Sequence, residues 1–146
     1  MRAIITIGIS ASGKSTWARE FVANNDNWTI VCRDDERTKL AGGQLDWKKW
    51  NWKREGEVTN AHCAALDAAA KQGLNLIVAD TNLNAKFLGE LVTRLHSLGY
   101  DVTYRIFEVD EEEAIRRDTS RGSLAVGADV IKKQLAAFDK LKTQTW

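Results

Sequence analysis

A strict alternation constrains this chain more than any other feature: short continuous apolar runs are each followed by a longer segment of helical period. Residues 3–7 form a β-branched apolar run that stops at Gly8, the pattern of a buried strand. A helix follows over residues 14–24, where Trp17, Ala18, Phe21 and Val22 fall on one face. Residues 28–32 form a second strand. Residues 46–72 read mostly as helix, because Ala61, Ala64, Ala65, Ala68 and Ala69 keep helical spacing and Gly73 closes the segment. Residues 74–79 are a third apolar strand, and residues 85–98 an amphipathic helix ended by Gly99. Residues 102–109 alternate apolar and polar, as a half-exposed strand does. Two last helices, near 111–120 and 128–142, flank a glycine-containing loop at 121–127. Alternating β and α elements imply an α/β fold: a parallel sheet with helices on both faces, joined by right-handed crossovers. Ligands of such sheets bind beyond the carboxyl ends of the strands.

The composition fits one domain spanning residues 1–146. An apolar fraction of 44% and a charged fraction of 28% are ordinary for a globular chain. The net charge is only +1, so any nucleic-acid binding must use a local patch. Cys32 and Cys63 lack metal-ligand spacing and read as reduced packing residues. The apolar stretch at residues 4–9, broken by Thr6 and Gly8, is too short for a signal peptide or a membrane span, which implies a cytoplasmic protein.

Gly8-Ile9-Ser10-Ala11-Ser12-Gly13-Lys14-Ser15, followed by Thr16, fits G-x-x-x-x-G-K-[ST] between a predicted strand and a predicted helix. The glycines let the backbone wrap so that successive N–H groups point at phosphate oxygens, and the helix start adds its positive dipole end. In this P-loop, Lys14 is expected to reach the β- and γ-phosphates of ATP or GTP, with the Ser15 hydroxyl on Mg²⁺. The motif implies phosphoryl chemistry and leaves the acceptor open.

The second strand runs into Arg33-Asp34-Asp35-Glu36-Arg37. If Asp34 opens a helical turn, Arg37 projects from the same side. Asp34 could then orient an acceptor hydroxyl and Arg37 hold an anionic group on the same acceptor. An aspartate with a pKa of about 3.9 cannot deprotonate an alcohol in the ground state, but a loose transition state needs only positioning and late proton acceptance. Asp80, at the end of the third strand, is expected near the Mg²⁺ shell, and Thr81 to Asn84 follow as a polar loop. Arg116, Arg117 and Arg121 suit a lid over residues 110–127 that closes on the nucleotide, with Arg121 the residue expected to meet developing charge. Glu111, Glu112 and Glu113 complement the dipole of the preceding helix start.

Together these stretches resemble the kinase domain of the phage 5′-polynucleotide kinase family. The residues that carry the resemblance are Thr6-Ile7-Gly8, Gly13 to Phe21, Arg33-Asp34-Asp35 with Arg37, Glu55-Gly56 with Val58-Thr59, Asp80 to Asn84, Arg121-Gly122 and Ala125-Val126. The likeness implies a P-loop kinase fold with a C-terminal helical lid. It implies Asp34 as general base toward a 5′-hydroxyl, Arg37 on the nearest phosphate, Asp80 as organiser of the site, and Arg121 on the donor phosphates. The implied cofactors are ATP and Mg²⁺, and the implied substrate is a single-stranded or end-exposed DNA or RNA. If phage-encoded, the protein would work in the host cytoplasm. The chain departs from the family in having Ser10-Ala11 where a relative has proline, and in ending at Trp146 without the 3′-phosphatase half.

Two other functions fit the same motifs: a small-molecule kinase for a nucleoside or sugar, and a nucleotide-dependent binding protein. Residues 46–54 interleave Trp47, Trp50 and Trp52 with Lys48, Lys49, Lys53 and Arg54. The segment reads either as a base-stacking, phosphate-following surface or as a helix start packed on the core. His62 and His96 read as ordinary helix residues without partners.

Overall fold

The computed structural model describes residues 1–145. Four strands, β1 (Arg2–Ile7), β2 (Trp28–Val31), β3 (Asn75–Val78) and β4 (Asp101–Ile106), pair in parallel in the order β2-β3-β1-β4. The helices are α1 (Lys14–Asn24), α2 (Arg33–Leu40), α3 (Glu55–Lys71), α4 (Ala85–Ser97), α5 (Glu111–Thr119) and α6 (Ala128–Thr145). This is the P-loop kinase fold. None of the helices described is long and apolar enough to cross a membrane.

The sheet's two faces follow from strand period and register. Ala3 pairs with Leu76 and Ile5 with Val78, so these side chains share one face; Ile4 pairs with Ile77 on the other. The first face packs into a core with Leu66 of α3, Leu88 and Leu95 of α4, and Ile131, Phe138 and Leu141 of α6. The second is covered by α1 through Trp17, Ala18 and Phe21. Strand β4 lies at the edge and is largely exposed, as its apolar–polar alternation foretold. Both cysteines are free, Cys32 buried and Cys63 half-buried. Burial, aided by the charge of Asp80, pushes the Cys32 thiol up to about 12, so it stays protonated as a packing group.

Residues 46–54 are not helical as expected; α3 starts only at Glu55, after a single 3₁₀ turn at Trp52–Arg54. Asp46 Oδ1 accepts from the Lys48 N–H, and Asn51 Oδ1 from the Lys53 N–H. Such local side-chain bonds offer the backbone an alternative to the helix. Trp50 is buried with Leu45 and Val58, and Trp47 packs against that cluster. Tertiary packing, not helical period, therefore accounts for Trp47 and Trp50. Conversely, the single turn expected at Asp34 is a full helix, α2, with Asp34, Asp35 and Glu36 in its first turn, where the dipole favours them. Strand β4 stops at Ile106, three residues before the expected end, and α6 runs on to Thr145.

The segment between α5 and α6 is organised by one buried carboxylate. Asp118 accepts from the N–H groups of Val126 and Gly127, each at 2.9 Å, and lies 3.5 Å from Arg121 Nη1. Gly127, at φ 94, turns the chain into α6 from a backbone conformation that favours glycine. Replacing Asp118 by Ala strands two N–H groups and is expected to lower stability by about 2 kcal/mol. Asp118→Asn, which keeps one acceptor oxygen, is expected to lose clearly less, and urea denaturation midpoints compare the two.

Candidate active site

The P-loop has its shape because of specific close approaches. A Cβ on Gly8 would stand 2.9 Å from the Cβ and carbonyl oxygen of Phe107 and from Ser12 Oγ, so only glycine fits. Ala11 and Gly13 both have positive φ, 62 and 97, which curls the loop over the start of α1. Helix α1 has no side-chain cap and no acidic residue in its first turn. Its unpaired N–H groups and positive dipole end are thus left for an anion. Ser15 and Thr16 are exposed on that first turn. From α6, Gln134 Oε1 accepts the Ser10 N–H at 2.7 Å and fixes the loop's rim.

Lys14 is buried, and its Nζ donates to the Ile9 carbonyl and, at 3.3 Å, to Ser12 Oγ. Burial, and next the positive charge of Arg121, lower its pKa to about 8 against the opposing pull of Asp80 and Asp34. Lys14, Arg121, Asp80 and Asp34 therefore act on one small volume at the carboxyl end of the sheet. Arg117 reaches the same place, its Nη1 3.4 Å from the Ala11 carbonyl oxygen, while its Nε is tied to Glu113. Arg116 does not join them; it is exposed and paired with Glu113.

Asp80 joins three strand ends. Its Oδ1 accepts the Arg33 N–H at 2.7 Å, at the exit of β2, and its Oδ2 lies 3.0 Å from His62 Nε2 on α3. An ionised carboxylate only accepts, so Nε2 carries the ring proton in this pair. The Asp80 carbonyl accepts from Thr6 Oγ1 of β1 at 2.8 Å, and Asn82, at φ 50, returns its amide to the Thr6 carbonyl. The Gly8 N–H completes the seam on the Thr81 carbonyl oxygen.

Asp34 and Arg37 share one side of α2, as their spacing predicted, with Asp34 Oδ1 2.6 Å from Arg37 Nη1. The structure adds Glu55, which accepts from Arg37 Nε and Nη2 at 3.0 and 2.6 Å, from Trp50 Nε1 at 2.9 Å and from Arg33 Nη2 at 3.4 Å. The Arg37 bonds hold the Glu55 carboxyl below the usual range in spite of partial burial. Three of Arg37's five N–H donors are engaged in this way, leaving one on each Nη.

The sequence bears out the class of this site. The AAA domain family model matches residues 4–141. The chain belongs to that family, as a P-loop kinase domain. It is 30% identical over 148 residues to the protein of Autographa californica nuclear polyhedrosis virus described as a bifunctional polynucleotide kinase/RNA ligase, covering 94% of this chain and 21% of that one. A chain of the Pnkp1/Rnl/Hen1 RNA repair complex superposes with a TM-score of 0.84 at 28% identity, over 99% of this chain and 46% of that one. Shikimate kinase from Aquifex aeolicus shares the fold at a TM-score of 0.63 and 17% identity, over 97% and 82% of the two chains. This kinase domain thus spans about a fifth of its viral relative and under half of the repair-complex chain.

Three side chains central to the kinase site carry no role in the sequence reading. His62 was expected to have no partner, yet it holds Asp80; its signal is the buried stripe Val58, His62, Leu66, Ala69, where a histidine interrupts apolar residues. Glu55 stands among the residues that carry the family resemblance, but its bond to Arg37 has no signal in the sequence because the expected helix placed it in an interior turn, whereas it opens α3. Gln134 had no local signal, because its partner is 124 residues away.

If Lys14 meets the phosphates of ATP, its lowered pKa makes binding depend on pH. The free site holds its lysine proton only up to about pH 8, whereas a bound polyphosphate favours the charged form. Binding above pH 8 therefore takes up a proton, and affinity for metal-free ATP is expected to fall as pH rises through that value. Lys14→Met is expected to bind weakly with a flat profile, and calorimetric titration from pH 7 to 9.5 compares the two.

Proposed function

We propose that this P-loop kinase domain transfers the γ-phosphoryl group of ATP to the 5′-hydroxyl end of a DNA or RNA strand. The observation that carries this reading is the Asp34–Arg37–Glu55 group at the exit of β2, beside the P-loop and open to solvent. Asp34 keeps 44% of its side chain exposed, while Arg37 keeps 13% and is held by three bonds. An exposed carboxylate beside a fixed guanidinium suits an acceptor end entering from solvent; a small-molecule kinase would enclose its acceptor. The viral and repair-complex relatives support the same class, whereas the shikimate kinase likeness speaks for the fold alone.

The uncapped α1 start and the cationic Lys14 fit a nucleotide triphosphate. Lys14 and the loop N–H groups from Ala11 to Thr16 would hold its phosphates, the Ser10 N–H being engaged by Gln134, with Arg117 and Arg121 approaching from the proposed lid at 110–127. Ser15 would ligate Mg²⁺, with Asp80 beside it, and the ion would neutralise charge on the phosphates. Both Asp80 oxygens already hold protein partners, but each keeps lone-pair capacity for a water in the Mg²⁺ shell.

Asp34 orients the acceptor hydroxyl and receives its proton as the new O–P bond forms and the bond to ADP breaks. Arg37 offers its two remaining N–H groups to the phosphate nearest that hydroxyl. Glu55 is a positioning residue that aims Arg37.

The test is transfer of labelled phosphate from ATP to a 5′-hydroxyl oligonucleotide and, separately, to free nucleosides and sugars. Label on the oligonucleotide is the expected result. Label only on a small molecule, or ATP hydrolysis with no labelled acceptor, would overturn the reading. Asp34→Ala is expected to lower transfer at least 10²-fold while ATP affinity stays within a few fold. Arg37→Ala is expected to impair acceptors with a phosphate next to the terminal nucleoside more than those without one.

A further inference from the structure

Residues 46–54 contain an aromatic series that the transfer chemistry leaves unused. The Arg37 guanidinium lies over the Trp47 ring, 5.1 Å from its centroid, and Trp52 stacks on Trp47 at 5.5 Å with 18° between the planes. Trp50 is buried in the cluster beneath, its indole N–H on Glu55. Trp47 is half-buried, and Trp52 leaves 62% of its surface in solvent. The series therefore starts at the guanidinium assigned to the acceptor's phosphate and ends at a free indole face.

Charge and tethering fit a nucleic-acid strand at that face. Lys48 and Lys49, between Trp47 and Trp50 in the chain, and Lys53, next to Trp52, are exposed, and none of them forms an ion pair among the described residues. Arg54 is excluded, being bound to Glu57 and the Leu40 carbonyl. The platform is also fixed from the other side of the site. Ser123, just after Arg121, donates its hydroxyl to the Leu45 carbonyl at 3.0 Å, and its own carbonyl accepts the Trp47 N–H at 3.2 Å. A flat aromatic face on a fixed support, with exposed lysines on the same segment, suits stacking of a nucleobase without regard to its identity, while the lysines follow the phosphates.

We propose that Trp52 is a stacking platform for a nucleobase of the acceptor strand, internal to its 5′-terminal nucleotide, with Lys48, Lys49 and Lys53 along the adjoining phosphates. The inference rests on the polynucleotide reading and names the subsite that would make the enzyme favour a strand over a single nucleotide. Arg37 holds the phosphate of the terminal nucleotide, and Trp52 lies two ring contacts further out, so its base belongs to a following nucleotide.

The experiment compares kcat/KM for a short 5′-hydroxyl oligonucleotide with that for a nucleoside 3′-phosphate, in the full chain and in Trp52→Ala. The ratio is expected to fall roughly ten-fold or more in Trp52→Ala, mainly through KM for the oligonucleotide, and to return in Trp52→Phe. An oligonucleotide abasic at the nucleotides after the first is expected to reproduce the loss with the unmodified protein and to add none with Trp52→Ala. An unchanged ratio, or an equal fall for both acceptors, would overturn the platform. So would self-association of the chain that Trp52→Ala abolishes, since the face would then serve a second copy. If the unmodified chain phosphorylates neither acceptor, the polynucleotide reading falls and the platform with it.

Discussion

The site depends on one carboxylate. Asp80 receives the backbone N–H of Arg33 at the start of α2, just past β2, the imidazole of α3 at His62 and, through its carbonyl, the hydroxyl of Thr6 in β1. Parallel strands are joined only by long crossovers, so nothing local aligns their carboxyl ends. The backbone ladder aligns the strands as far as Val78 and Ala79, and beyond it side-chain bonds at Asp80 and Asn82, with the Gly8 N–H on Thr81, hold the loops together. The P-loop at the end of β1 and the acidic turn at the end of β2 are thus fixed relative to each other by the residue between them. Charge-assisted bonds to a poorly solvated carboxylate are among the stronger polar contacts available to a fold.

The same economy of charge governs the cradle. Lys14 is buried and its positive charge is opposed by Arg121, yet Asp80 and Asp34 pull the other way. Around Lys14 the charge of Arg121 is set against the two carboxylates, and burial is the larger force on its proton. The carboxylates offset burial and Arg121 enough for Lys14 to remain charged near neutral pH. Lys14 meanwhile rests on its own loop, at Ile9 and Ser12, contacts that an incoming phosphate can replace.

Much of this was legible in the chain. Strand period, glycine positions and the G-x-x-x-x-G-K-S spacing located β1, the loop and α1, because those signals depend on residues next to one another. The i, i+3 spacing put Asp34 and Arg37 together for the same reason. The tryptophan segment was illegible as helix or loop: Trp47 and Trp50 pack with Leu45 and Val58 while Trp52 does not, and Asp46 and Asn51 bond nearby backbone and hold the helix off until Glu55. Once α3 was drawn too early, Glu55 looked like an interior helix residue rather than the anchor of Arg37.

The sequence by itself determined a parallel α/β sheet with a phosphate loop after its first strand, and which carboxylate and arginine follow the second. These are consequences of local period and of what glycine and lysine can do within a few residues. Tertiary structure alone decided that His62 faces Asp80, that Glu55 aims Arg37, that Gln134 steadies Ser10, and that Trp52 rather than Trp50 meets the solvent. Each pairing or exposure depends on segments brought together by a crossover or a packed loop. Two residues far apart in the chain carry no mark of which helix face will turn toward which strand end.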